Sequence, residues 1–343
     1  MKKRVTIHDI AKELNTTAAT VSRALNNNPS IGMAMKKRVQ EMAKKLNYRQ
    51  DRIATSLRSG KTFVIGVIIP SAKISFFGSV VHGIESIARK SGYQILLFQT
   101  NEKYSNEKEG INTLLQSNVD AIIVSISKET TNYDHFLEVK EQGVPLILFD
   151  RTNDTLGFPS VVIDDFKGAY MATSHLIDQG YTNIAHICGQ QHLKIFEDRL
   201  LGYKAALEDR GLIFKEENIV SGDVSIQSGE KAAEVLLNLA ERPDAIFAAE
   251  DFMALGALQT LKKHKLHHPG HFGLVGFANE SFGEYITPSL TTVNQRNIEM
   301  GEEAAKLFLS LPTKNLYNDQ KPSKIILKPE LIIRESSSSK LSK

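Results

Sequence analysis

After Thr62 the chain returns repeatedly to short apolar runs rich in β-branched residues. They are FVIGVIIP, YQILLFQT, DAIIVSIS and PLILFDR, then NIAHICG, ENIVSG, DAIFAAED and FGLVGFA. Amphipathic stretches of helical length separate them. This βα rhythm implies parallel sheets whose strands are covered by helices on both faces. The 281 residues after Thr62 are more than one hydrophobic core usually holds, so two doubly wound α/β subdomains with a cleft between them are expected. In such sheets small molecules bind beyond the carboxyl ends of the strands, and binding residues are to be sought there.

The preceding residues are of another kind. The first 62 hold 14 Lys and Arg against 4 Asp and Glu, and the rest hold 28 against 35, so a chain of net +3 is a +10 head on a −7 body. A head this basic matches the condensed charge of a nucleic-acid duplex, where each cation that neutralises a phosphate releases counterion. A solvated charged face is the alternative that composition alone leaves open.

Local patterns in the head favour the first reading. Thr6 stands three residues before Asp9 in a capping-box arrangement, and Ile10, Ala11 and Leu14 form one apolar stripe. Asn15 falls where a chain leaving a helix needs a left-handed residue, Thr16 and Thr17 offer hydroxyl caps, and Ala18 to Leu25 buries Val21 and Leu25. A third helix from about Met33 to Leu46 presents Val39, Met42, Ala43 and Leu46 at helical spacing. Two short helices about a tight turn, backed by a third, read as a helix-turn-helix whose second helix enters the major groove. Its outward face is expected to carry Thr17, Ala18, Ala19, Ser22 and Arg23. Arg23 can reach guanine O6 and N7 as a fork, or else contact phosphate; the two alanines allow close approach to a thymine methyl, or else fill the helix. Thr6, Thr20 and Asn26 complete the expected DNA-contacting set.

The string VTIHDIAKELNTTAATVSRALNNNPSI, followed by KKRVQEMAKKLNYRQDRIATSLRSGKT and FVIGVIIP, closely resembles the lactose repressor and purine repressor (LacI/GalR) family of bacterial transcription regulators, over about Val5 to Thr313. The resemblance implies a helix-turn-helix domain at 1–50, a hinge helix and linker at 51–62 and an effector-binding and dimerisation domain of the type I periplasmic-binding-protein kind at 63–334. A Ser-rich tail at 335–343 is expected to be disordered. It further implies that Leu57 wedges into the minor groove at the centre of a palindrome, with Arg52 and Ala54 beside it. A hinge of eight or nine residues is too short to hold a helix alone in water and must be ordered by partners. This chain has Gln50-Asp51 where the family usually has Pro-Asn.

In the body the resemblance assigns effector contacts to Phe77, Asp150, Arg199 and Asp251, with Glu250 in place of the usual Asn and Ala278-Asn279 in place of a frequent Asp-Asp pair. Glu250 and Asn279 are therefore included in the expected site. Carboxylates accept from sugar hydroxyls, a guanidinium donates as a planar fork, and an aromatic ring covers an apolar sugar face. An Arg-Asp ion pair bracing the domain interface and a core role for Phe77 are the alternatives. The implied partners are operator DNA of pseudo-palindromic sequence, a second copy of the chain, and a sugar or sugar derivative. Lys194 and His192, in the loop leading to Arg199, leave an anionic sugar acid as open as a neutral sugar.

Other signals fail. Gly60-Lys61-Thr62 ends like a phosphate-binding loop, but Thr55 stands where that loop needs Gly. His264, His267, His268 and His271 cluster in an expected surface connection, and no metal or other cofactor is expected. The single Cys188 excludes an internal disulfide and fits a reducing cytoplasm. No apolar run suits a membrane span or an export signal. A transport receptor of this architecture needs export and has no use for the basic head, and an enzyme would need a nucleophile, metal site or nucleotide loop, none of which is found. A regulator is the expectation, and a sugar-binding protein or enzyme on the same body the alternative.

Overall fold

A computed structural model describes residues 5–48, 60–266, 270–312, 317 and 322–339, and the chain forms two compact units that meet at Thr62 and Phe63. In the first unit three helices, α1 (Ile7–Glu13), α2 (Ala18–Leu25) and α3 (Met33–Lys45), enclose Ile10, Val21, Ala24 and Val39. The local chemistry is as the sequence suggests. Asp9 accepts from both the backbone and the hydroxyl of Thr6 at 2.8 Å, Asn15 turns the chain at φ 47°, and Thr17 Oγ1 accepts from Thr20 N–H at 3.1 Å. Leu25 is only half-buried and Ala24 takes the inner position instead. Arg52, Ala54 and Leu57 lie outside the described residues.

The second unit holds the two expected subdomains. The first sheet contains β1 (Val64–Ile69), β2 (Gln94–Gln99), β3 (Ala121–Val124), β4 (Leu146–Phe149), β5 (Ser160–Ile163) and β11 (Lys324–Leu327), in the order β11-β5-β4-β3-β1-β2 and parallel throughout. The second contains β6 (Ile184–Cys188), β7 (Ile219–Ser221), β8 (Ala245–Ala248), β9 (Gly273–Phe277), β10 (Thr291–Asn294) and β12 (Glu330–Ile332), in the order β12-β10-β9-β8-β6-β7, with only β12 antiparallel. Helices α4 (Ser75–Lys90), α5 (Tyr104–Gln116) and α6 (Asp134–Glu141) cover the first sheet. α7 (Asp165–Asp178), α8 (Lys194–Asp209), α9 (Ile226–Leu237) and α10 (Asp251–Lys263) cover the second. α11 (Asn297–Ser310) follows β10 but packs on α4, so the chain passes between subdomains after β5, after β10 and after β11.

Helix pairs approach closely through glycine. A Cβ on Gly83 would sit 2.1 Å from Ile298 O and one on Gly301 2.0 Å from Val80 O, so α4 and α11 are in backbone contact; Gly229 and Gly256 do the same for α9 and α10. Gly301→Ala is therefore expected to lower unfolding free energy by about 1–3 kcal/mol through overpacking, measured by urea denaturation.

Two features depart from the sequence reading. β5, β10, β11 and β12 were not among the recognised runs. The tail is ordered through Ser339: Glu335–Ser337 form a short helical turn, with Ser337 wholly buried. Their hydroxyls answer backbone and side-chain groups that would otherwise be stranded. Ser336 Oγ donates to Leu274 O at 2.6 Å and accepts from Thr291 N–H at 2.9 Å, and Ser337 Oγ lies 2.8 Å from His175 Nε2. Polar composition alone therefore misled, and the effector domain extends beyond 334.

His186 on β6 is buried between the rings of Tyr203 and Phe247, with Nδ1 2.9 Å from Phe247 O. Burial holds its pKa down at about 4 from 6.5, with the Arg199 charge adding to the effect. A depressed folded-state value gives stability that is present above about pH 6.5 and lost as pH falls toward about 4. Stability should thus fall by up to about 3 kcal/mol over that window on account of this group, and His186→Phe should flatten that part of the pH profile in chemical denaturation.

Candidate functional site

On the head, Thr6, Thr17, Ala19, Arg23 and Asn26 are exposed, Ala18 and Thr20 half-buried, and Ser22 buried. Ser22 therefore leaves the expected reading face. One turn after Ala18, it tilts with Ala18 toward the Val21 and Ala24 side, while Ala19 and Arg23 one turn apart form the outward stripe. Asn26 Nδ2 donates back to Ser22 O at 2.9 Å, and Thr20 is engaged with Thr17. Lys37, Arg38, Lys44 and Lys45 on α3 are also exposed, cations that the charge count included but the expected DNA-contacting set did not.

In the body, the ends of the strands converge on a cleft. A chamber of about 370 Å³ is bounded by loops after β1, β2, β3, β4, β6 and β7, and includes Lys73, Glu102, Lys128, Arg151 and Asp223. It shares Ile74, Arg151, Phe196 and Val224 with a narrow inner cavity of about 40 Å³. That cavity is lined by four of the six expected effector residues, Phe77, Asp150, Arg199 and Glu250, together with Phe76 and Gln295.

Arg199 is 2% exposed. Its Nε and Nη2 reach Asp165 Oδ1 at 2.8 and 2.7 Å, its Nη1 donates to Ala249 O at 2.6 Å, and the guanidinium lies 3.7 Å from the centre of the Phe277 ring. Burial raises the Asp165 carboxyl to about 7 against the pull of Arg199. Arg151, which directly follows Asp150, is held by Glu102 through Nη1 at 2.9 and 2.7 Å, while its buried Nε has no hydrogen-bond partner and lies 4.0 Å from Asp150 Oδ2. Asp150 sits at φ 59°, accepts from Ser125 Oγ at 3.3 Å, and has its pKa raised by burial. Glu250 caps α10 by accepting from Phe252 N–H at 2.6 Å; burial and then the neighbouring Asp251 push its carboxyl well above the ordinary range.

Two expected residues do not line either cavity. Asp251 is fully buried, and its oxygens are taken by Thr292 Oγ1 and Glu280 N–H, both at 2.7 Å. Asn279 accepts from Arg334 Nη2 at 3.1 Å, because the turn at Ala278 and Asn279, with φ 127° and 53°, brings Ala278 to the cavity and leaves Asn279 on Arg334. Both residues are structural braces here. Phe77 combines the two readings open in sequence: it belongs to the core and lines the cavity.

Sequence reasoning missed Asp165, Arg151 and Gln295. Gln295 is 4% exposed and its Oε1 is a buried acceptor with no partner. The FDR string held a signal for Arg151; nothing local marks a lone Gln after β10. Lys194 pairs with Asp198 at 2.9 Å and His192 Nε2 lies 2.8 Å from Lys128 O, and neither lines the cavities. His264 likewise lies 3.1 Å from Glu234, while His267 and His268 are outside the described residues.

Comparison with known proteins agrees with both halves. Residues 62–325 match the family described as periplasmic binding proteins and sugar binding domain of LacI family, and residues 6–51 match bacterial regulatory proteins, lacI family. The chain belongs to the LacI family of bacterial regulatory proteins. It is 35% identical to catabolite control protein A of Priestia megaterium, over 96% of this chain and 97% of that protein. It is 30% identical to the HTH-type transcriptional repressor PurR of Aliivibrio fischeri (strain MJ11), over 96% and 98%. Among solved structures, the complex of transcriptional regulator CelR with cellobiose is 27% identical, covers 97% of this chain and 100% of that one, and has a TM-score of 0.72. As a LacI-family member the chain is a DNA-binding transcription regulator with an effector domain, not an enzyme. Among the described residues no helix is long and apolar enough to cross a membrane.

Arg199→Ala should lower stability by about 3–5 kcal/mol, because it leaves the buried Asp165 carboxyl and Ala249 O without their donors and removes the packing on Phe277. Adding Asp165→Asn should recover part of that loss in a double-mutant cycle. A loss near zero for Arg199→Ala would remove the pair from its bracing role.

Proposed function

We propose that this LacI-family chain is a cytoplasmic repressor that binds a pseudo-palindromic operator as a homodimer and changes its operator affinity when a neutral sugar fills the cleft. The observation that carries the ligand class is the state of the cations around the inner cavity. Arg199 is paired with Asp165 and Arg151 with Glu102, whereas Asp150, Glu250 and the unpartnered Gln295 Oε1 offer acceptors. Such a wall answers a ligand rich in hydroxyl donors, and Phe76, Phe77 and Phe196 cover apolar ring faces. The residues that argued for an anion, Lys194 and His192, are engaged elsewhere. The CelR complex, with cellobiose bound, supports the same class.

On the head, Thr17, Ala19 and Arg23 read bases, with Thr6, Ala18, Thr20 and Asn26 around them and Arg52, Ala54 and Leu57 serving the hinge. Two-fold symmetry doubles the few bases that one recognition helix can read.

A thermal-shift screen of neutral sugars, uronates, sugar phosphates and nucleobases tests the ligand. A neutral sugar at 100 times its dissociation constant should add about 2.7 kcal/mol of stability, and selective stabilisation by an anion would overturn this reading. For the head, Arg23→Ala should relax base preference by about 1–3 kcal/mol in operator-selection assays without changing the sugar-induced thermal shift. Parent-like selectivity would remove Arg23 from the reading role.

A further inference from the structure

Glu280 is carried by the second subdomain, on the loop after β9, yet its carboxylate ends on the first turn of α4 in the other subdomain. Oε2 accepts from the Ser75 hydroxyl, and Oε1 accepts from Phe76 N–H at 3.2 Å. The helix has need of such a partner. Its N-cap is Ile74, whose side chain cannot accept a hydrogen bond, so the first amides of α4 are orphans at the positive end of the helix dipole. At 3% exposure Glu280 is itself a buried carboxylate that needs donors.

Both sides of this contact lead to the inner cavity. Glu280 N–H donates to Asp251 Oδ2 at 2.7 Å, and Asp251, fixed by Thr292, follows Glu250, which lines the cavity. Phe76, which supplies the amide, and Phe77 beside it line the same cavity from the facing side.

We propose that Glu280 is a positioning residue that holds the cleft closed by capping α4 from the opposite subdomain, and so sets Phe76 and Phe77 against the ligand. The partners are 204 and 205 residues apart, on different sheets, so they stay joined only while the subdomains stay together. A ligand that touches Phe76 and Phe77 on one side and Glu250 on the other favours the same arrangement, and ligand and Glu280 bias one equilibrium. A second charged contact across the cleft among the described residues, Lys128 to Asp223 at 3.4 Å, is substantially exposed and correspondingly weaker. The ligand half of this inference rests on the reading of the cleft as an effector site; the closure half does not.

Closure can be measured in the ligand-free, full-length protein without DNA. Spin labels on Glu109→Cys and Lys231→Cys, exposed positions on α5 and α9, report the separation of the subdomains by electron–electron double resonance, and the buried Cys188 is shielded from labelling. Glu280→Gln should shift the closed-to-open ratio about ten-fold toward long distances, as expected for loss of a charge-assisted bond. Ser75→Ala should shift it less, and Glu280→Asp should restore part of the closed population. A parent-like distance distribution in both Glu280→Gln and Ser75→Ala would overturn the proposal. So would opening in Glu280→Gln that comes with a lowered melting temperature and is not relieved in Glu280→Asp, since that pattern reports general damage. Either outcome leaves the sugar screen and operator selection to stand or fall separately.

Discussion

A guanidinium removed almost wholly from water must be answered on every side, and at Arg199 each answer comes from a different part of the second subdomain. Asp165 opens α7, Ala249 O follows β8, and the Phe277 ring closes β9. The ion pair, the carbonyl and the cation–π contact together offset a desolvation penalty of several kcal/mol per ion. They also fix the ends of strands that would otherwise be free to vary. The inner cavity exists because these ends are fixed, and its chemistry follows from the same pairing. With the Arg199 charge already balanced, the wall presents acceptors and aromatic rings instead of a free cation.

The route from cleft to regulation runs through connectivity. Three passages of the chain between the sheets, with α11 packed on α4 and α7 on α8, allow the subdomains to turn about their connections without breaking either core. A ligand can then bias the open or closed arrangement only by binding one better than the other. The head has its own core around Ile10, Val21 and Val39 and needs no body contact to present Arg23. In the proposed homodimer, control of DNA binding therefore acts on the spacing or order of the two heads, not on the fold of either.

Much of this was legible in the chain itself, because the signals were local. Thr6 with Asp9, Asn15 at its left-handed turn and Thr17 at its cap each act within a few residues, and the apolar runs located the strands β1 to β4 and β6 to β9. What failed depended on distant partners. Glu250 and Asp251 are adjacent, yet one reaches the cavity and the other is claimed by Thr292, 41 residues away. Asn279 was claimed by Arg334, 55 residues on, and the tail serines found unpaired groups on β9 and β10 that no composition rule reveals. Ser22 was misplaced because Ala18, Ala19, Ser22 and Arg23 lie on neighbouring stripes of one short helix, and only packing against α1 and α3 decides which stripe turns inward.

The central claim is that one cleft and one DNA-reading head share a single equilibrium. Linkage makes this testable in both directions: the factor by which the effector changes operator affinity must equal the factor by which operator changes effector affinity. Calorimetric titration of the sugar into free protein and into the operator complex, set beside operator titrations with and without saturating sugar, measures both factors. The account predicts equal factors, in the range of about 5- to 150-fold. A sugar that binds the free and operator-bound protein with the same affinity would contradict it.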